Sequence, residues 1–218
     1  MCGRYSIANE IQSIAQGMDL QVPQDFSPRY NAAPTQVLPV LVNRRPGRFS
    51  LLQWGIVPFW AEADKPKRLI NARAETVSSK ATFRQAFQQR RCLVPAGGYF
   101  EWKAEEKGKT PFFIRLKEKE AFFFAGLWDV HTDAQGERHG DFCIITTEAP
   151  PSLSHIHDRM PVILPEEAWS FWLCDTEDWE GLLELLKPTE SQKLEAYPVS
   201  KKVNNVSIDE PSLIEKAG

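Results

Sequence analysis

Cysteine is sparse and scattered in this chain. Its 218 residues hold four, Cys2, Cys92, Cys143 and Cys174, with no CxxC pair among them. Structural zinc sites draw their ligands from short spacings, so the pattern excludes one. Cys92 and Cys143 stand in apolar runs, RRCLVPA and DFCIITT, and read as reduced core residues. No apolar run approaches the roughly 20 residues of a membrane-spanning helix. The start, MCGRYSIANEIQS, is too polar for a secretory signal. These absences point to a cytoplasmic protein with no membrane partner. Neither GxGxxG nor a P-loop occurs, which argues against a nucleotide cofactor. Repeats, low-complexity tracts and long linkers are missing too, so residues 1–218 are expected to form a single domain.

Charge is present but divided. The net charge of −3 argues against a general nucleic-acid coat protein. Residues 1–110 hold 16 Lys and Arg against 9 Asp and Glu, whereas residues 111–218 hold 10 against 20. A basic half beside an acidic one suits a one-sided anionic partner, provided the halves are also separate in space.

The hydrophobic pattern gives a coarse order of elements. Ile11, Ile14, Ala15 and Met18 share one stripe of a helix over 8–18. The Pro-rich QVPQDFSPRYNAAP reads as an ordered loop. Strands are expected at 36–42 and 48–55, joined by a turn at Arg45, Pro46 and Gly47. Residues 59–75 read as irregular, and Ser78 or Ser79 is placed to cap a helix through TFRQAFQQR. Further strands are expected at 92–103, 111–117, 121–128 and 141–147, a loop over 151–159, and a short strand in MPVIL. Pro165 opens a helix in PEEAWSFWL, DWEGLLELLK follows as another, and a closing strand is expected at about 196–203. Runs of strands with helices between and after them indicate an α+β fold with a mostly antiparallel, barrel-like sheet and flanking helices.

Cys2 is the most informative single residue. Removal of Met1 would leave an α-amine and a thiol on adjacent carbons. The amine can condense with an aldehyde to a Schiff base, and the thiol can close on it as a thiazolidine, with the effective molarity of a tethered reaction. The amine has a reference pKa of about 7.7–8.0, so a useful fraction is neutral near pH 7.

Other candidates carry two readings each. Glu101, in GYFEW between Phe100 and Trp102, is a proton-transfer group if its strand face is buried, and a solvated strand residue otherwise. His157, in HIHDRMP, is a proton shuttle or a loop histidine bonded to Asp158. Asn71, in INARAE, can hold an aldehyde or sugar oxygen, or form a turn. Arg73 can take a phosphate in its fork or pair with Glu75. Phe59 and Trp60, ahead of Lys65, Lys67 and Arg68, offer stacking faces beside cations, as single-stranded nucleic acid requires. The alternative is a core Trp60 beside a solvated basic loop.

MCGR at the start, RYNAAP at 29–34, Trp54-Gly55 with Pro58-Phe59-Trp60, INARAET at 70–76, GYFEW at 98–102 and HDRMP at 157–161 occur in this order. Together they resemble the SOS-response-associated peptidase family of abasic-site processing proteins. The motifs cover residues 2 to about 161. PVSKKVNN resembles the family's end, while the acidic segment around 165–195 carries no motif. The resemblance implies a protein, expected to be a monomer, that binds single-stranded DNA containing abasic sites and traps the lesion's aldehyde as a thiazolidine crosslink. It also implies self-removal of Met1, a lyase activity at abasic sites, and no requirement for metal or nucleotide. Position by position, it makes Cys2 the nucleophile and Asn71 the group orienting the amine or sugar oxygen. Glu101 assists Schiff-base chemistry, and His157 serves as acid or base on the opened sugar. Arg4, Arg73 and Arg159 take phosphates, Phe59 and Trp60 wedge or stack at bases, and Pro34 and Thr146 lie at the DNA surface. Two rivals remain. One is an N-terminal-nucleophile amidohydrolase of the class II glutamine amidotransferase kind, which also begins Met-Cys-Gly but lacks the later motifs. The other is a noncovalent single-stranded DNA-binding module.

Overall fold

A computed structural model describes residues 2–61 and 67–217, so the expectations that involve Met1 and Lys65 lie outside the described residues. In chain order the elements are β1 (Tyr5–Ile7), α1 (Glu10–Gly17), β2 (Arg29–Ala32), β3 (Val37–Val42), β4 (Ser50–Trp54), β5 (Asn71–Arg73), α2 (Ala81–Gln89), β6 (Arg91–Ala96) and β7 (Gly98–Glu105). They continue as β8 (Gly108–Leu116), β9 (Phe122–Thr132), β10 (Arg138–Glu148), β11 (Arg159–Pro161), β12 (Ile163–Leu164), α3 (Trp169–Leu173), α4 (Trp179–Glu184) and β13 (Leu194–Pro198). No helix among the described residues is long and apolar enough to cross a membrane.

Two sheets share one core. Strands β4, β3, β6, β9 and β10 pair in a closed ring, because β10 returns to β4 as well as to β9. Closure removes the open edges that a sheet of such apolar strands would otherwise expose. β10 is long enough to serve two neighbours on each side. One side pairs with β9 and then β11, antiparallel; the other pairs with β4 and then β5, parallel. The second sheet, β13-β8-β7-β1-β2, is antiparallel throughout. The α+β, mostly antiparallel barrel expected from the pattern is therefore observed, with β10 supplying the two parallel pairings.

Aromatic side chains join the sheets. Tyr5 of β1 meets Trp54 of the barrel edge-on at 5.2 Å and Phe124 at 5.9 Å, and Trp54 stacks on Phe142 at 6.2 Å. Arg91 is fully buried in this core. Its guanidinium donates to the carbonyls of Phe87 and Gln88 at the end of α2, and to those of Trp172 and Cys174 around the end of α3, at 2.5–2.8 Å. A buried cation thus satisfies carbonyls that helix ends leave without intrahelical partners.

Several local expectations are corrected. The strand expected over 92–103 is two strands, β6 in the barrel and β7 in the second sheet, which part at Gly97. A side chain at Gly97 would collide with the Glu10 carboxylate, and one at Gly98 with the Phe113 ring, so the crossing runs through glycine. Lys80, not Ser78 or Ser79, precedes α2; the Ser79 hydroxyl donates instead to Thr76 O at 3.3 Å. The closing strand ends at Pro198, and a 3-10 turn occupies Lys201–Asn204. The Pro-rich loop and the irregular stretch contain short strands, β2 and β5, and both position the site.

Candidate active site

Cys2 leads into β1 and is completely buried, its thiol facing Arg4 O at 3.8 Å. Because Tyr5 lies opposite Tyr99, the pairing of β1 with β7 draws the chain start alongside Glu101; Phe100 N–H donates to Arg4 O at 3.0 Å. Burial pushes the Cys2 thiol well up, and the neighbouring Glu101 charge pushes the same way. Glu101 is only 3% exposed, which rules out the solvated reading of this strand residue. Burial raises its carboxyl, and His157 opposes that rise.

His157 lies in the loop before β11 with Nε2 4.0 Å from Glu101 Oε2. Its Nδ1 is 2.9 Å from Asp158 Oδ1 and also 2.9 Å from the Arg159 backbone N–H. A neutral ring nitrogen cannot donate to the one and accept from the other. The backbone N–H is always a donor, whereas the Asp158 carboxylate is 87% exposed and served by solvent. In the neutral ring Nδ1 is therefore the acceptor and the hydrogen lies on Nε2, facing Glu101; the protonated ring is the cation that opposes the rise of the Glu101 carboxyl.

A second group stands on β5, β10 and β11. Asn71 lies opposite Ile144 and donates weakly to its carbonyl at 3.5 Å. Its Oδ1 is buried with no hydrogen-bond partner among the described residues, an acceptor that calls for a donor. Thr146 is buried and donates to Ala72 O at 3.4 Å. Arg159 donates to Thr146 O at 2.7 Å and grips both carboxylate oxygens of Glu75, at 2.6 and 2.9 Å. Glu75 thus pairs with Arg159, while Arg73 is exposed on β5. The two groups meet at the Arg159 backbone, whose N–H binds His157.

Arg4 is tied inward rather than left at the surface. Its Nη1 donates to Asn31 Oδ1 at 2.7 Å and to Val203 O at 2.8 Å, and its guanidinium lies 5.9 Å from the centre of the Trp102 ring. Half-buried Pro34 precedes Thr35, whose φ of 73° is a strained left-handed geometry for a β-branched residue. Thr35 N–H donates to Trp54 O at 2.9 Å, and Gln53 Nε2 donates to Thr35 O at 2.8 Å.

Phe59 and Trp60 are 81% and 55% exposed, so Trp60 is not a core residue. Trp60 Nε1 faces Thr82 Oγ1 of α2 at 3.4 Å. Phe59 lines a cleft of about 460 Å³ with Gln53, Arg68, His131 and His139, at the end of β10 opposite Thr146. Seven residues of strand separate His139 from Thr146, about 23 Å.

Three groups have partners that the sequence does not show. Asn31 is a buried hub whose Nδ2 faces the carbonyls of Val203, Asn205 and Ile208. The buried Asp141 accepts from Arg68 at 2.8 Å and lies 2.6 Å from His131 Nδ1. Glu75 fills the fork of Arg159.

Known proteins resemble this chain along nearly its whole length. The chain is 38% identical over 222 residues to abasic site processing protein YoqW of Bacillus subtilis, covering 99% of each chain. It is 33% identical to abasic site processing protein YedK of Escherichia coli, again over 99% of each. A crystal structure of a protein from Bacteroides thetaiotaomicron superposes with a TM-score of 0.86 at 26% identity, covering 99% of this chain and all of that one. Matched by the model for SOS response associated peptidases over residues 1–206, the chain belongs to that family.

Proposed function

We propose that this protein processes abasic sites in single-stranded DNA, and that Cys2, freed by removal of Met1, captures the ring-opened sugar as a thiazolidine. The observation that carries the reading is the burial of Cys2 beside Glu101, with His157 directed at the same carboxylate. The Cys2 amine adds to the sugar aldehyde, and the carbinolamine loses water to give the imine. The thiol sulfur then attacks the imine carbon while its proton passes to nitrogen. A carboxyl group raised toward neutrality suits the dehydration step, since it can give a proton and take one back. His157 serves the opened sugar, where proton removal leads to strand cleavage. Asn71, whose buried Oδ1 lacks a donor among the described residues, orients the amine or a sugar hydroxyl.

Binding needs only to deliver the lesion. Exposed Arg73 offers a phosphate contact, and Phe59 and Trp60 offer faces on which bases stack. Arg4, held by Asn31 and Val203, supports the chain start from inside. Thr35, next to Pro34, fixes the backbone around Trp54, and Thr146 that of β5. The same acid–base pair supports self-removal of Met1, a hydrolysis in which water is consumed and the Cys2 nitrogen is the leaving group, and the amine so freed supports a Schiff-base lyase.

Intact mass spectrometry tests the reading. The purified protein is expected to lack Met1 and, after mixing with an abasic oligonucleotide, to gain that oligonucleotide's mass less one water. Cys2→Ala should lose the adduct and keep salt-sensitive binding. A trimmed protein that never gains mass would refute the proposal, and ammonia release from glutamine would favour the amidohydrolase instead.

A further inference from the structure

We propose that Glu75 is a built-in stand-in for a DNA phosphate: its carboxylate fills the fork of Arg159, and a backbone phosphate binds there only by displacing it. The inference rests on the DNA reading above. A guanidinium fork matches a carboxylate and a phosphate with the same two parallel bonds. Here both bonds go to Glu75, at 2.6 and 2.9 Å, and Arg159 also donates to Thr146 O at 2.7 Å. The Arg159 side chain is 11% exposed, whereas that of Glu75 is 44% exposed. Solvent, and any anion arriving through it, therefore reaches Arg159 at the place the carboxylate occupies. Arg73, exposed two residues before Glu75, acts on the same carboxylate from the β5 side. An anion seated between the two arginines would meet two cations once Glu75 has swung into water, and one net charge before.

The occupied fork sits at the rim of the chemistry, because the Arg159 backbone N–H also fixes the acceptor nitrogen of His157. In this arrangement Glu75 weakens contact with any polyanion and makes a well-seated phosphate the condition for releasing Arg159. Glu75 is then a specificity-determining residue that lowers affinity in the free protein.

The test is equilibrium binding, in a Cys2→Ala background, to a single-stranded oligonucleotide carrying a tetrahydrofuran abasic analogue, titrated across salt. Glu75→Gln is expected to tighten binding about tenfold at low salt, the effect of one additional charge-assisted hydrogen bond to phosphate. Glu75 keeps the fork in part of the wild-type complex with this analogue, so opening it should steepen the slope of log K against log salt by up to about 0.7, the amount for one further phosphate on a single strand. In an Arg159→Gln background the tightening should vanish. Glu148→Gln removes an exposed acidic residue opposite Arg159 in the β10–β11 register without opening its fork, and should leave the slope unchanged. Unchanged or weaker binding by Glu75→Gln, a tightening that survives loss of Arg159, or an equal effect from Glu148→Gln would each overturn the inference. Glu75→Asp, too short to span the fork, carries the same expectation at smaller amplitude should the Gln variant fold poorly. A wild-type chain that never crosslinks while Glu75→Gln shows the steeper slope would refute the function proposed above and leave this inference standing. Crosslinking with an unaltered slope would do the reverse.

Discussion

Truncating Asn31 should be among the most damaging single changes near the site, although Asn31 touches no reacting atom. The side chain is fully buried on β2 and binds four groups at once. Its Oδ1 accepts from Arg4 at 2.7 Å, and its Nδ2 faces the carbonyls of Ile208, Asn205 and Val203 at 2.8, 3.1 and 3.3 Å. Two N–H donors serve those three acceptors, so the sum counts as two neutral bonds and one charge-assisted bond. At about 1 kcal/mol for each neutral bond and 1.5 for the charged one, Asn31→Ala loses about 3.5 kcal/mol. Stranded carbonyls and a half-unpaired Arg4 add to that figure rather than reduce it. A chain of this size shifts by about 2–4 °C per kcal/mol, so the melting temperature should fall by roughly 7–14 °C. Urea unfolding followed by tryptophan fluorescence reads the loss directly, with an unchanged slope marking a true stability effect. Because Arg4 stands two residues from Cys2, adduct formation should also slow at temperatures where the variant is fully folded. A loss below about 1 kcal/mol would show that the 201–209 segment is held by its apolar contacts, Val203 and Leu213 foremost, and would refute the hub assignment.

Two further outcomes follow from exposure and charge. Glu101→Gln should slow imine formation, and it should also alter the pH dependence of stability. The native carboxyl is raised above its unfolded value, so the folded state holds the proton more tightly, and stability falls as pH climbs from about 4.3 through the raised native value. The Gln variant has no such charge, so urea titrations should find it gaining on the parent across that window; parallel curves would refute the burial cost. Phe59→Ala and Trp60→Ala should leave stability within about 0.5 kcal/mol, since both rings are exposed. Each should weaken single-stranded DNA binding by about 1–3 kcal/mol if a base stacks on it, and unchanged affinity would remove that ring from the interface.

Long, strongly patterned segments were legible from sequence, and short ones set by distant partners were not. FFFAGLW and DFCIITT are apolar at nearly every position because β9 and β10 are buried on both faces, and such runs announce themselves. β1, β2 and β5 have three or four residues each, too few for any period to show, and they form because neighbouring strands offer them hydrogen bonds. At the site, a residue type and a motif located Cys2, Glu101 and His157. Burial decided which reading of Glu101 held, and one backbone N–H decided the tautomer of His157. Arg159 shows the limit of that approach. Its chemistry matches a phosphate, and only coordinates reveal that Glu75, 84 positions away, already holds the fork. Asn31 was hidden the same way, since its partners lie more than 170 positions downstream.

On the thiazolidine reading proposed above, the burial of Cys2 sets the order in which its two nucleophiles would act. Desolvation and the Glu101 charge hold the thiol protonated near neutral pH, and a protonated thiol is a poor first attacker. An ordinary α-amine has a reference pKa of about 7.7–8.0, whereas burial carries the thiol well above its own ordinary value, so the amine is the readier first nucleophile. That reading expects amine attack first. The thiol would follow intramolecularly, where effective molarity offsets its low acidity and the imine nitrogen takes its proton. Limited alkylation of the DNA-free protein with iodoacetamide at about pH 7.5, just below that amine value, checks the premise by peptide mass. Cys174 is exposed and should be modified first, Cys2 more slowly, and Cys92 and Cys143, buried within the barrel strands, only on unfolding. Quenching a crosslinking reaction early with borohydride checks the sequence of steps, because a reduced amine adduct should appear ahead of the thiazolidine. Rapid alkylation of Cys2 in the folded protein, with no amine adduct at any time, would show that the sulfur attacks first.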